Sequence, residues 1–152
     1  MGTGEMSVAD ETLNDLLVRL FKDIMEIEEK SLLTDEYKDI TVNDMHIIEA
    51  IGYNEKKSMS TVAKLMSVTT GTLTKSMDGL TDKKYVTRER GKKDKRVVFV
   101  SLTEKGKKAY RHHEQFHKQM IDHIKKGLTD HEMPILIYAL AKLTDYFDNI
   151  YS

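Results

Sequence analysis

Between Met59 and Gly106, two short apolar stripes at helical spacing run directly into a pair of β-rich segments around a basic turn. This order leaves few folds open. The first segment, Met59-Ser60-Thr61-Val62-Ala63-Lys64-Leu65-Met66, keeps its apolar residues on one face, Ser60 offers an N-cap, and Val68 is the apolar residue of the turn. From Thr69 to Lys84, Leu73, Met77 and Leu80 recur at i, i+4 and i+7, so one side is buried and the other left free. The free side carries Thr69, Thr70, Thr72, Thr74 and Lys75. Gly71 and Gly79 each cost such a helix about 1 kcal/mol relative to alanine. A missing Cβ at Gly71 lets the backbone approach a phosphate. The sequence supplies no reason for Gly79.

Tyr85 to Arg90 and Val97 to Leu102 have the β-branched and aromatic composition of strands, and Gly91-Lys92-Lys93-Asp94-Lys95-Arg96 is a glycine-containing turn between them. Helix, turn, helix and basic hairpin in this order predict a mainly α winged helix-turn-helix with a two-stranded wing. The net charge of −1 conceals a strong asymmetry. Lys83 to Lys108 contains eleven Lys or Arg against three Asp or Glu, a balance of +8, which leaves −9 on the remaining residues. A basic patch on an otherwise acidic chain points to an anionic partner for that patch alone.

The flanking segments are helical. Ser7 to about Lys30 carries Leu13, Leu16, Leu17, Leu20, Ile24 and Ile27 on a 3.6-residue repeat, the pattern of a core face or a partner-helix seam. Thr34 to Asp39 reads as a polar loop, and Thr41 with Asp44 resembles a capping box opening a helix that buries Met45, Ile47, Ile48 and Ile51 and ends at Gly52. Tyr53 to Ser58 reads as a polar connection. Thr103 caps a long helix to about Lys126, Gly127 closes it, and Thr129 opens the last helix, with Pro134 in its first turn and Leu136, Ile137, Leu140, Leu143, Phe147 and Ile150 along one side. The expected organisation is a flexible leader at 1–6, an N-terminal dimerisation helix and loop at 7–40, a winged lobe at 41–106, and C-terminal dimerisation helices at 107–152. With no cysteine, no long apolar run and no secretion-like start, the expectation is a reducing cytoplasm and no membrane association.

Short hydrogen-bonding side chains near the start of a recognition helix suit the major groove, where threonine hydroxyls and methyls meet bases and phosphates. Lys75 adds charge, and the helix N-terminus itself favours a phosphate. Asp94-Lys95-Arg96-Val97-Val98-Phe99-Val100-Ser101-Leu102-Thr103-Glu104-Lys105-Gly106 has the wing signature of the MarR family of bacterial transcriptional regulators, and Val68-Thr69-Thr70-Gly71-Thr72-Leu73-Thr74-Lys75 resembles that family's recognition helix. The resemblance implies a homodimer on a pseudo-palindromic double-stranded operator, with half-sites about 34 Å apart. It also implies that Arg96 enters a minor groove, where negative potential is concentrated, with Asp94 orienting it. The alternative role for Asp94 and Arg96 is to close the hairpin by pairing. The expected DNA contacts are Thr69, Thr70, Gly71, Thr72, Thr74, Lys75, Arg88, Lys92, Lys93, Asp94 and Arg96.

Outside the lobe, Ile27-Glu28-Glu29, Lys38-Asp39-Ile40, Met45-His46, Ile51-Gly52 and Phe116-His117-Lys118 resemble the FabT-type subfamily, repressors of fatty-acid synthesis genes. That resemblance implies co-repression by long-chain acyl groups on acyl carrier protein, in a tunnel between the first, second and fifth helices. Phe21, Met25, His46, Ile47, His113, Phe116, His117 and Met120 are its candidate walls, methionine being adaptable to a flexible chain. An alternative effector is zinc, because His113 and His117 at i and i+4, with His46 and Glu28, resemble the ligands of zinc-responsive repressors in the same superfamily. His112, His123 and His131 read as surface residues. Regulation requires no further cofactor. No nucleotide loop, nucleophile elbow or cysteine nucleophile is present, which argues against an enzyme.

Overall fold

A computed structural model describes residues 4–32, 34 and 36–151. Met1 to Thr3 of the expected leader and Asp35 of the expected loop lie outside them. Nine elements follow in order: α1 (Val8–Leu32), α2 (Val42–Ile51), β1 (Lys56–Ser58), α3 (Met59–Leu65), α4 (Thr70–Asp82), β2 (Val86–Arg90), β3 (Val98–Leu102), α5 (Glu104–Gly127) and α6 (Glu132–Tyr151). The chain forms two compact units, Met1–His113 and Glu114–Ser152.

In the first unit the winged helix-turn-helix is present as expected. Met45, Ile47, Ile48 and Ile51 of α2, Val62 of α3, and Leu73, Met77 and Leu80 of α4 are buried with Tyr85, Val86 and Val100 in one core. Thr41 and Asp44 form the capping box, with the Thr41 hydroxyl accepting from the Asp44 amide at 3.0 Å and the Asp44 carboxylate accepting from the Thr41 amide at 3.1 Å. Gly52 ends α2 at φ 92°, a left-handed geometry that favours glycine.

Three features depart from expectation. The segment read as a polar connection contributes β1, which pairs antiparallel with β3 (Lys56 opposite Ser101, Ser58 opposite Phe99), so the sheet has three strands in the order β1-β3-β2. A strand of three residues is too short for period-two patterning to show. Because β1 runs straight into α3, the N-cap is Ser58, whose hydroxyl accepts from the Thr61 amide at 3.2 Å, and Ser60 lies inside the helix. The loop before α2 is not simply polar, since Tyr37 and Ile40 are buried in the core.

The apolar stripe of α1 stays uncovered: Leu13, Leu16, Leu17, Leu20 and Ile27 are each more than half exposed. In the second unit, Thr129 and Glu132 form a reciprocal cap before α6, which likewise exposes Ile137, Leu140, Leu143, Phe147 and Ile150. No helix among the described residues is long and apolar enough to cross a membrane.

Candidate nucleic-acid interface and effector groove

The tight turn between α3 and α4 is made by Ser67, at φ 56°, and closed by the Val68 amide on the Ala63 carbonyl at 3.0 Å. Thr69 then caps α4. Its hydroxyl accepts from the Thr72 amide at 3.1 Å and donates to the Thr72 hydroxyl at 2.9 Å, while the Thr74 hydroxyl donates to the Thr70 carbonyl at 2.8 Å. These bonds hold the side chains of Thr69, Thr72 and Thr74 in place. Thr69, Thr70, Gly71, Thr72, Thr74 and Lys75 are all exposed. A Cβ on Gly71 would meet only Thr69 Oγ1, at 3.9 Å, and one on Gly79 would meet nothing within 4 Å. Gly79 remains without a structural reason.

In the wing, β2 pairs with β3 from Val86 opposite Leu102 to Arg90 opposite Val98. The Gly91 amide closes the hairpin on the Val97 carbonyl at 2.8 Å, and a Cβ on Gly91 would come within 2.5 Å of the Asp94 carbonyl oxygen. Asp94 and Arg96 pair within the hairpin, and the pairing leaves the arginine side chain open to solvent. The carboxylate accepts from the Arg96 amide at 3.0 Å and from the guanidinium at 3.1 and 3.2 Å, yet the Arg96 side chain is 91% exposed. Hydrogen bonding to the Arg96 side chain, and next to its amide, holds the Asp94 carboxyl below its usual value. The arginine is braced and still presented to solvent. Lys92 and Lys93 stand exposed beside it.

Between wing and recognition helix lies a cleft of about 300 Å³ walled by Ser58, Ser60, Thr70, Thr74, Arg88 and Arg96. Two guanidiniums and four hydroxyls make a lining for an anion. Arg88 is steered there by a salt bridge from its guanidinium to Asp78 of α4 at 2.5 Å. Asp78 and Ser60 were not among the expected contacts, because the pairing of α4 with β2 joins residues ten apart across two elements.

A second concavity, of about 1010 Å³, opens between α1 and the start of α2. Val18, Phe21, Ile24, Met25, Leu32 and Ile40 form its apolar body, and Glu28 and His46 are among its polar lining residues. Of the expected walls in this unit, Phe21, Met25 and His46 line it. Ile47 does not, being 1% exposed and packed in the core of the lobe instead. His113, on α5, is also absent from the lining and fully buried. Phe116, His117 and Met120 stand on α5 in the second unit, where the Phe116 and His117 rings are 5.3 Å apart.

Beside the groove, Glu28 accepts from His46 Nε2 at 2.7 Å and lies 3.3 Å from His113 Nε2, which is also 3.0 Å from Glu49. Glu49 is the member not foreseen. It follows His46 by three positions, the helical spacing that places both on one face of α2. One ligand atom each from His46, Glu49 and His113 falls within 4.8 Å of the others. His112, expected at the surface, instead reaches the Ser31 carbonyl at 2.7 Å and packs 4.7 Å from the Tyr37 ring, tying α5 to the end of α1.

Residues 28–112 match the family model for the transcriptional regulator SarA/Rot. The chain is 29% identical over 135 residues to the HTH-type transcriptional regulator YpoP of Bacillus subtilis, covering 86% of this chain and 90% of that one. Among solved structures, it superposes on Streptococcus pneumoniae FabT in complex with DNA with a TM-score of 0.87 and 34% identity, over 92% of this chain and 98% of that one. A mutant of Escherichia coli MarR complexed with operator DNA gives a TM-score of 0.70 and 26% identity, over 91% and 99%.

Proposed function

This chain belongs to the SarA/Rot family of winged-helix transcriptional regulators, on the MarR plan, and from that premise we propose that it is a dimeric repressor of fatty-acid and lipid synthesis genes that answers to long-chain acyl groups carried on acyl carrier protein. That it is a DNA-binding regulator and not an enzyme follows from the family. The finer reading rests on the groove. An apolar body of about 1010 Å³ with polar groups among its lining is of the size and character that suits a long hydrocarbon chain. The likeness to FabT extends along 92% of this chain, well beyond the winged lobe, which supports the same subfamily.

Two copies pair through apolar helix faces in this reading. The exposed stripes of α1 and of α6 are each far more apolar than a solvated helix face needs to be. A dimer presents two recognition helices and two wings, with Thr69, Thr70, Gly71, Thr72, Thr74 and Lys75 against major-groove edges and phosphates. Arg96, braced by Asp94, takes the minor groove, and Arg88, Lys92 and Lys93 take backbone phosphates. The acyl group shifts the population of lobe arrangements that fit the operator rather than adding base contacts.

Gel-shift titration of operator DNA with and without long-chain acyl carrier protein is the direct test. A change of operator affinity is expected, and identical titrations would reject the lipid reading. Zinc is a second reading, favoured by the convergence of His46, Glu49 and His113 with Glu28 against two of them. Imidazole and carboxylate are a suitable donor set for zinc. Calorimetric titration of the purified protein with zinc separates the two, because no heat of binding removes the metal.

A further inference from the structure

We infer that Asp39 is a positioning residue that ties the groove wall to the joint between recognition helix and wing, so that occupancy of the groove and grip on DNA act on each other through it. Ile40, Thr41, Val42 and Asn43 line the groove and follow Asp39 directly in the chain. The Asp39 carboxylate accepts the Tyr85 hydroxyl at 2.7 Å and lies 3.7 Å from the Lys105 ammonium, while its main-chain carbonyl accepts from the Lys83 ammonium. The residue next to the groove wall thus holds groups from three points, two of them in the segment that leaves α4 and enters β2.

That segment has little slack. Lys83 caps α4, Lys84 is held at φ 70°, and Tyr85 is fully buried. On the wing side the Thr103 amide bonds the Tyr85 carbonyl at 3.0 Å, and Gly106 packs so closely that a Cβ there would stand 2.1 Å from the same oxygen. Lys105 completes the joint, donating to the Lys83 carbonyl at 3.0 Å and sitting 4.3 Å from the Tyr85 ring centroid. If the wall at 40–43 moves, the buried Tyr85 hydroxyl either follows Asp39 or loses its acceptor. A displacement of the wall is therefore passed to the end of the recognition helix and the root of the wing. The groove's role in this coupling rests on the effector reading above, whereas the link from DNA to the wall does not.

Hydrogen exchange on the full-length protein, free and bound to operator DNA, tests the link without any effector. Binding of DNA is expected to slow exchange at residues 40–43 in the wild type, and this slowing is expected to vanish in Tyr85→Phe and in Asp39→Ala. Tyr85→Phe keeps the ring and its packing, so it folds and removes only the hydroxyl. A gel-shift arm then adds long-chain acyl carrier protein, whose effect on operator affinity, about tenfold for a typical coupling, should fall to none in both variants. No acyl effect in the wild type would sink the effector reading while the exchange result still decides the role of Asp39. Absence of the slowing in the wild type, or its survival in the variants, overturns the proposal.

Discussion

The stripe on α4 and the stripe on α1 look alike as sequence and end in opposite environments. Leu73, Met77 and Leu80 are at most 2% exposed, whereas Leu13, Leu16, Leu17 and Leu20 are each more than half exposed. Both stripes repeat at 3.6 residues, because periodicity records only that one face is apolar. What covers the face depends on the rest of the chain or on another chain. In the winged lobe, α2, α3 and the sheet close over α4. The stripe of α1 is left open in the single chain.

The largest effect is expected where the stripe is closed. Leu73→Ala removes a side chain from a fully formed core and should cost about 2 to 5 kcal/mol in urea unfolding. Leu17→Asp on the open stripe should leave the winged lobe folded and shift the oligomer toward monomer in sedimentation velocity. If Leu17→Asp unfolds the protein as Leu73→Ala does, the contrast between the two stripes is wrong. Arg96→Ala touches neither stripe and should weaken operator binding by about 1 to 3 kcal/mol with the melting curve unchanged, measured by fluorescence anisotropy. Lys92→Ala should do less, lowering the slope of affinity against salt by about one phosphate contact.

The smallest effect expected is one of pH. Burial, then the hydrogen bond to Asp39, pushes the Tyr85 phenol above the ordinary 10.0. A raised folded-state value means that the protonated form is favoured by folding. Its contribution is full below pH 10.0 and is lost as pH rises through the raised value. Wild-type stability should therefore fall more steeply than that of Tyr85→Phe in urea melts taken from about pH 9 to about pH 11. Parallel curves would show that the phenol does not sense its burial.

Local signals were readable where a residue's partner lies within one helical turn or one hairpin. The Thr41 and Asp44 box and the wing from Val86 to Leu102 both belong to this class. Features built from distant pairs were not readable: Lys56 beside Ser101, Asp78 beside Arg88, Tyr85 on Asp39 and His112 on Ser31. Ser58 displaced Ser60 as a cap for the same reason, since β1 ends there only because β3 pairs with it. Ile47 and Tyr37 show the converse, where a plausible wall residue and a plausible loop residue were both drawn into the core.

By itself the sequence determined the order of the helices and of the two wing strands, the apolar face of each helix and the basic character of the wing, because these depend on neighbours three or four residues away or on composition. The tertiary structure alone decided which faces find cover, that the Tyr85 hydroxyl rests on Asp39, and that Glu28, His46, Glu49 and His113 meet beside a groove. Contacts between residues tens of positions apart are set by how whole elements pack, and no local repeat carries that information.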